Sequence, residues 1–415
     1  MTWLYVPFQW FYLRSHGLSA TELMTLNTVF CVAAVLLEVP TGALADRLGR
    51  RPVLTAGALV SALSCLVFVA CPSCFGWLAL ANGLAALSMT CISGADSAFL
   101  FDFLGWGGRG ETYQRAETLS SAIKLGTTAV GGLAGWALVA RGHDLSMLYT
   151  ITALLGCAAA LLALSLPEPW RKDRQQRRSG RRASERLSAT APRSALRDLV
   201  GHGARAGTLV WNRRDLLWLM VLSAALFPVL RVGIFLDQPF VELLGYSTSS
   251  LGLVFAAKDL VAAVAAGFTA VLLARLGESR LLTVLPLVAL VALVGMMFAD
   301  APAGVVLVLL PTFAFGVYTP LVRIFVNSRL EGCRDRATVL STEGMARRFG
   351  FAVFSPLVGA AVDAWSLASA LALSGAWAGV ALVLAIVLPF HGDRTRAPSS
   401  KDSKDFSWAS RVRSS

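Results

Sequence analysis

Apolar positions along this chain come in long unbroken runs rather than in the single-face spacing of a helix that buries one side against a core. Twelve such runs, separated by charged or Pro/Gly-bearing gaps, fall at about 1–15, 22–45, 53–71, 76–100, 118–140, 145–166, 215–237, 248–274, 280–299, 303–326, 338–362 and 366–390. A bilayer core of about 30 Å takes about twenty residues of helix, each rising about 1.5 Å. The first run is too short for that: it starts inside the membrane thickness, or the true initiator lies upstream. The pattern predicts an all-α polytopic membrane protein with twelve transmembrane helices.

Composition agrees: 56% of the residues are hydrophobic and 15% charged, against about 25% charged in a soluble globular domain. The net charge of +12 would suit nucleic acid only if it formed a folded basic face outside the lipid, and none is apparent. The charge instead sorts by side. Loops on one side carry Arg47, Arg50 and Arg51, Arg109 and Arg115, Arg275 and Arg280, and Arg329, Arg334 and Arg336, together with the basic central loop and tail; the opposite side carries Arg141 alone. By the positive-inside rule the basic side is cytoplasmic; both termini are expected there, in a protein of the plasma membrane. The Arg-dense stretch 167–214 reads as a cytoplasmic linker between six-helix bundles at 1–166 and 215–390, and 391–415 reads as a disordered tail. No cleavable signal peptide precedes the aromatic first span.

The short loop between spans two and three reads Gly42-Ala43-Leu44-Ala45-Asp46-Arg47-Leu48-Gly49-Arg50-Arg51-Pro52-Val53-Leu54. It resembles, at every specified position, the loop signature of the major facilitator superfamily, and Glu38-Val39-Pro40-Thr41 is similar to the run-in of bacterial members. A fainter copy, Ala274-Arg275-Leu276-Gly277-Glu278-Ser279-Arg280, lies between spans eight and nine, with Ala274 standing 228 positions beyond Asp46. Gly359 of span eleven stands 224 beyond Gly135 of span five. The resemblance implies two six-helix bundles related by pseudo-two-fold symmetry about the membrane normal, with substrate held between them near the midplane.

Gly49 permits the tight turn of the signature loop, and the resemblance implies a cytoplasmic gate motif at Gly42, Asp46, Arg47, Gly49, Arg50 and Arg51, in which Asp46 docks at the start of span eleven near Thr338 and Ser341. A helix N-terminus favours such a contact by about 0.3–1 kcal/mol, a bias rather than a lock. Topology anchoring is the competing role for the three arginines.

Ionisable residues within spans cost about 2.5–3.5 kcal/mol each to insert, so they face a cavity or a partner. Asp96, Arg323, Glu343, Arg347 and Arg348 fall in the cytoplasmic third of spans four, ten and eleven and could form an inner salt-bridge gate together with Asp46. Lys124 is placed to snorkel. Arg231 in span seven, with Lys258 and Asp259 near mid-depth in span eight, is the expected substrate and proton pathway; a static Asp259–Arg231 bridge is the alternative. Asp237, at the end of span seven, reads as an exposed residue near the outer surface.

Some features weaken the proton-antiport reading. Ala79 stands where many proton-coupled relatives place an Arg, and span five lacks their Gly-Pro, which leaves Gly126, Gly131 and Gly135 as small residues for close helix contact. The rings of Trp3, Tyr5, Phe8, Trp10, Phe11 and Tyr12 suit either a substrate stack or a membrane-interface belt. Pro311, Gly316 and Pro320 could kink span ten.

Enzyme chemistry finds no motif. The four His lie apart and outside the spans, no phosphate-binding G-x-x-x-x-G-K-[ST] occurs, and of the Cys only Cys71 and Cys74 are suggestively spaced. The expectation is a monomeric secondary transporter of a small organic molecule, proton-coupled and more often exporting than importing, with no cofactor. An uptake permease and a non-transporting receptor or scaffold are the rivals.

Overall fold

In a computed structural model, residues 3–104, 110–166, 210–330 and 336–387 are described. They form twelve α-helices: α1 (Gln9–Ser15), α2 (Ala20–Leu48), α3 (Arg50–Ala70), α4 (Phe75–Leu104), α5 (Gly110–Ala140), α6 (Ser146–Ser165), α7 (Arg214–Leu243), α8 (Ser250–Leu276), α9 (Glu278–Met296), α10 (Ala303–Arg329), α11 (Arg336–Ala364) and α12 (Leu367–Val387). Ten are long and apolar enough to cross a membrane; α5 contributes a shorter apolar stretch, Gly126–Ala140. α1 has seven residues and follows a 3-10 turn over Val6–Phe8.

Local chemistry sets the helix ends. Ser19 and Glu22 form a reciprocal capping box at the start of α2, which satisfies donors that a helix N-terminus leaves open. Gly49 (φ 102°) joins α2 to α3, and Gly277 (φ 76°) joins α8 to α9. Both take the left-handed region where a side chain is strained, and they occupy matching places in the two copies of the loop motif. The backbone therefore repeats what the sequence repeats only faintly.

Side chains that point away from the bundle are apolar: Leu154, Leu161 and Leu162 in α6, Phe268 in α8 and Val383 in α12 are more than half exposed. Continuous apolar surface of this kind suits lipid and would aggregate in water.

The two halves meet along three seams at the end away from the basic loops. Gly132 of α5 lies so close to Gly252 of α8 that a Cβ on either would come within 2.9 or 2.5 Å of the other's carbonyl oxygen. A Cβ on Gly359 of α11 would lie 2.6 Å from the Ala20 carbonyl of α2. Gln238 of α7 accepts the Trp10 N–H at 2.9 Å and donates to the Val6 carbonyl at 3.1 Å. Small residues thus let helices of opposite halves touch at matching places, α5 on α8 and α2 on α11. Gly135 accommodates Phe8, whereas nothing lies within 4 Å of a Cβ on Gly126, so close contact is not what Gly126 serves.

Candidate functional site

Between the halves lies a cavity of about 310 Å³. Trp3, Phe255 and Phe315 supply apolar walls, Thr128 and Thr312 supply hydroxyls, and four ionisable side chains converge on it: Arg231, Asp237, Lys258 and Asp259. The volume falls within the range of small-molecule sites, which are mostly apolar with a few placed polar groups.

Two of the four charges hold each other in place. Lys258 Nζ donates to Asp237 Oδ2, joining α8 to α7, with side chains only 6% and 4% exposed. The ammonium also lies 4.6 Å from the centre of the Phe255 ring, a favourable cation–π approach. Gly233 leaves the room, since a Cβ there would stand 3.3 Å from Asp237 Oδ2. Asp259, the next residue along α8, points elsewhere, as the helical rotation between neighbours requires. It lines the same cavity and has no ion-pair partner among the described residues, and neither has Arg231. The Asp259–Arg231 bridge weighed from sequence is therefore not formed.

The reading of Asp237 as an exposed residue is corrected. The sequence reading ended span seven at Asp237; α7 instead runs through Pro239 to Leu243. Six further residues carry the helix about 9 Å onward, which puts Asp237 well inside. The aromatic cluster is corrected as well. Tyr5 stacks on Tyr149 at 4.2 Å, Tyr12 donates to the Phe68 carbonyl at 2.9 Å, and Tyr5, Phe8, Trp10 and Tyr12 are buried in the first half. Of the six rings, Trp3 lines the cavity.

A second cavity, about 410 Å³ and more polar, opens nearer the basic end. Glu38, Arg323, Asn327, Glu343, Arg347 and Arg348 line it. Arg348 donates to Glu38, tying α11 to α2 across the halves. Glu343 is buried and accepts from Tyr318 Oη at 2.9 Å, while Arg347 approaches it at 3.9 Å and lies 5.3 Å from the Phe227 ring. Arg323 is exposed to the cavity and has no ion pair among the described residues. Phe227 faces Phe315, Tyr318 and Phe351 at 6.1–6.4 Å between ring centres, and so touches a lining residue of each cavity, Phe315 of the first and Arg347 of the second.

Of the remaining predicted site residues, Gly42 and Asp46 lie on the last turns of α2, Arg47 beside them, and Arg50 and Arg51 in the first turn of α3. The side chains of Asp46, Arg47, Asp96 and Lys124 fall outside the described residues, so the docking of Asp46 and the place of Asp96 in the inner gate stay expectations. A Cβ on Gly42 would meet nothing within 4 Å. The Glu38–Arg348 pairing was missed: both residues were visible as charges within spans, but nothing local marks partners 310 positions apart.

No curated protein sequence matches the chain. Among solved structures, nucleoside transporter NupG superposes with a TM-score of 0.67 at 15% identity over 93% of this chain and 96% of its own, and a variant of it with 0.70. A D-xylose-proton symporter gives 0.62 at 16% identity over 91% of this chain and 90% of its own. At such identity the likeness carries the fold alone. The sequence profile of the Major Facilitator Superfamily matches residues 1–332. With a matching profile over most of its length, two pseudo-symmetric bundles and a cavity between them, the chain belongs to the major facilitator superfamily of small-solute transporters.

Proposed function

We propose that this protein is a proton-coupled secondary carrier of a small organic solute, rather than an enzyme or a sensor, working by alternating exposure of the cavity between its halves. One observation carries the reading: two carboxylates and two cations from α7 and α8 line a cavity at the boundary between halves, yet only Lys258 and Asp237 are joined. Buried charge is expensive in a membrane, and an uncompensated carboxylate beside a solute cavity is a group able to exchange protons there. In the proposal Asp259 carries the coupling proton, Arg231 meets a polar group of the solute, and Trp3, Phe255 and Phe315 hold its flat or apolar part. Lys258–Asp237 fixes the frame of α7 and α8.

One proton moving down 100 mV supplies about 2.3 kcal/mol, enough to sustain roughly a fifty-fold gradient of a neutral solute. The arrangement of seams closed at one end, with a polar vestibule at the other, supports an inward-facing state if the basic loops are cytoplasmic. The proposal keeps the export direction implied by the signature loop, in a plasma-membrane monomer with both termini inside. The solved neighbours are described as a nucleoside transporter and a proton symporter, so nucleosides and pentoses head the panel of solutes to be tested.

The experiment is flux in proteoliposomes under an imposed pH gradient, for wild type and Asp259→Asn. Wild type is expected to move solute against its gradient and to stop when an ionophore collapses the pH difference; Asp259→Asn is expected to retain solute exchange without net driven transport. Driven flux that survives both the ionophore and Asp259→Asn contradicts the coupling. The sign of the driven flux separates export from uptake.

A further inference from the structure

We infer that Asp363 is the latch of the α2–α11 seam, and that its release sets how often the cavity opens at the end away from the basic loops. The inference rests on the alternating-exposure reading and names the residue that regulates it. Asp363 is the last residue but one of α11. Its Oδ1 accepts the Ala20 N–H at 2.9 Å, and its Oδ2 accepts the Thr21 N–H at 2.6 Å and the Thr21 hydroxyl at 2.7 Å. Arg14 of α1 stands 3.6 Å away.

The position makes little sense for α11 alone. A carboxylate beside the C-terminus of its own helix faces the negative end of the macrodipole, where a cation is preferred. It makes sense for α2. Ala20 and Thr21 are the first two residues of that helix, whose N–H groups have no intrahelical acceptor, and the Ser19 capping box satisfies Glu22 rather than these two. The other half of the protein therefore completes the N-terminus of α2, through charge-assisted hydrogen bonds that are stronger than neutral ones.

Between this carboxylate and the Arg348–Glu38 pair nearer the basic end, the seam is held by neutral contacts. Ser355 Oγ donates to the Met24 carbonyl at 3.0 Å and Thr28 Oγ1 to the Ala352 carbonyl at 2.8 Å. Those carbonyls lie within helices and already have acceptor roles there, so parting the seam costs them little. Asp363 must exchange three donors at once. Its side chain is 27% exposed, so water can replace those donors as the seam parts, and the contact is reversible rather than permanent.

The test reads exposure directly. Ala262 lines the central cavity; in Ala262→Cys, the modification of the peptide carrying position 262 by a membrane-impermeant thiol reagent is measured by mass spectrometry, so the native cysteines can stay. The reagent is added from one face or the other of oriented vesicles, to full-length Asp363 protein and to Asp363→Ala, with Ser355→Ala as the comparison. Labelling from the face opposite the basic loops is expected to rise about tenfold in Asp363→Ala, the scale of a lost charge-assisted contact, and much less in Ser355→Ala. Asp363→Glu, which keeps the charge, is expected to fall between. Monodisperse Asp363→Ala protein labelled from that face no faster than its Asp363 parent overturns the latch while leaving alternating exposure intact. Failure of position 262 to label from either face in the parent protein removes both.

Discussion

Lys258 and Asp237 show at the residue scale how a membrane interior constrains charge. Neither side chain reaches water to any extent, so each is tolerated because of the other. Removing one leaves the other buried and unmatched, which costs about 3–5 kcal/mol, whereas replacing both with neutral groups is close to neutral. Lys258→Met is therefore expected to lower the thermal-unfolding midpoint in detergent sharply, and Lys258→Met with Asp237→Asn to recover most of it. An additive loss in the double variant would mean that the two are not partners. Lys258 and Asp259 are neighbours on a helix and point about 100° apart, so the sequence alone implies that they do not neutralise one another. It did not show which carboxylate Lys258 would meet, because Asp237 sits a full helix away and the apparent end of its own span hid its depth.

At the scale of elements, glycines divide by what they touch. A Cβ on Gly350 would come 2.0 Å from the Ala224 carbonyl, a contact between α11 and α7 inside the second half. Backbone has nowhere to go, so Gly350→Ala is expected to destabilise folding by about 1–3 kcal/mol or more, read as a lower unfolding midpoint. Gly252 meets Gly132 and Trp136 across the halves instead. Gly252→Ala is expected to leave the unfolding midpoint nearly unchanged and to increase labelling of the cavity from the end opposite the basic loops, because it props a seam rather than a core. The reverse pattern would place Gly252 in the fold and Gly350 at the gate. Helix number and approximate limits were legible because apolar run length is a direct image of bilayer thickness. Proline was the weak sign: Pro239 lies within α7, and Pro311 and Pro320 lie within α10, all in continuous helix. In a bundle, neighbours can re-satisfy the groups that proline frees, so its punctuation is weaker than in water.

The duplication organises the whole molecule. Gly49 and Gly277 turn at matching points, and α5 on α8 answers α2 on α11. Asp363 stands near the end of α11 as Asp46 stands near the end of α2; if Asp46 docks on α11 as expected, the two helices carry reciprocal latches at opposite ends, and only one can be fastened at a time. The signature loop made the superfamily readable from thirteen residues, and charge asymmetry between loops gave the expected orientation. Cross-half contacts were not readable, since Asp363–Thr21 and Glu38–Arg348 join positions more than 300 apart and no local pattern selects them.

Alternation between two shapes is the claim on which the rest depends, and it can be measured without knowing the solute. Spin labels at His143 and Ser247 report the separation of the halves at the closed end, and labels at Leu48 and Ser279 report it at the basic end. Pulsed electron-resonance distances, recorded across pH in lipid nanodiscs, are expected to show two populations at each pair, with the short distance at one end accompanying the long distance at the other. A single unchanging distance at both pairs, or widening at both ends together, would contradict the account.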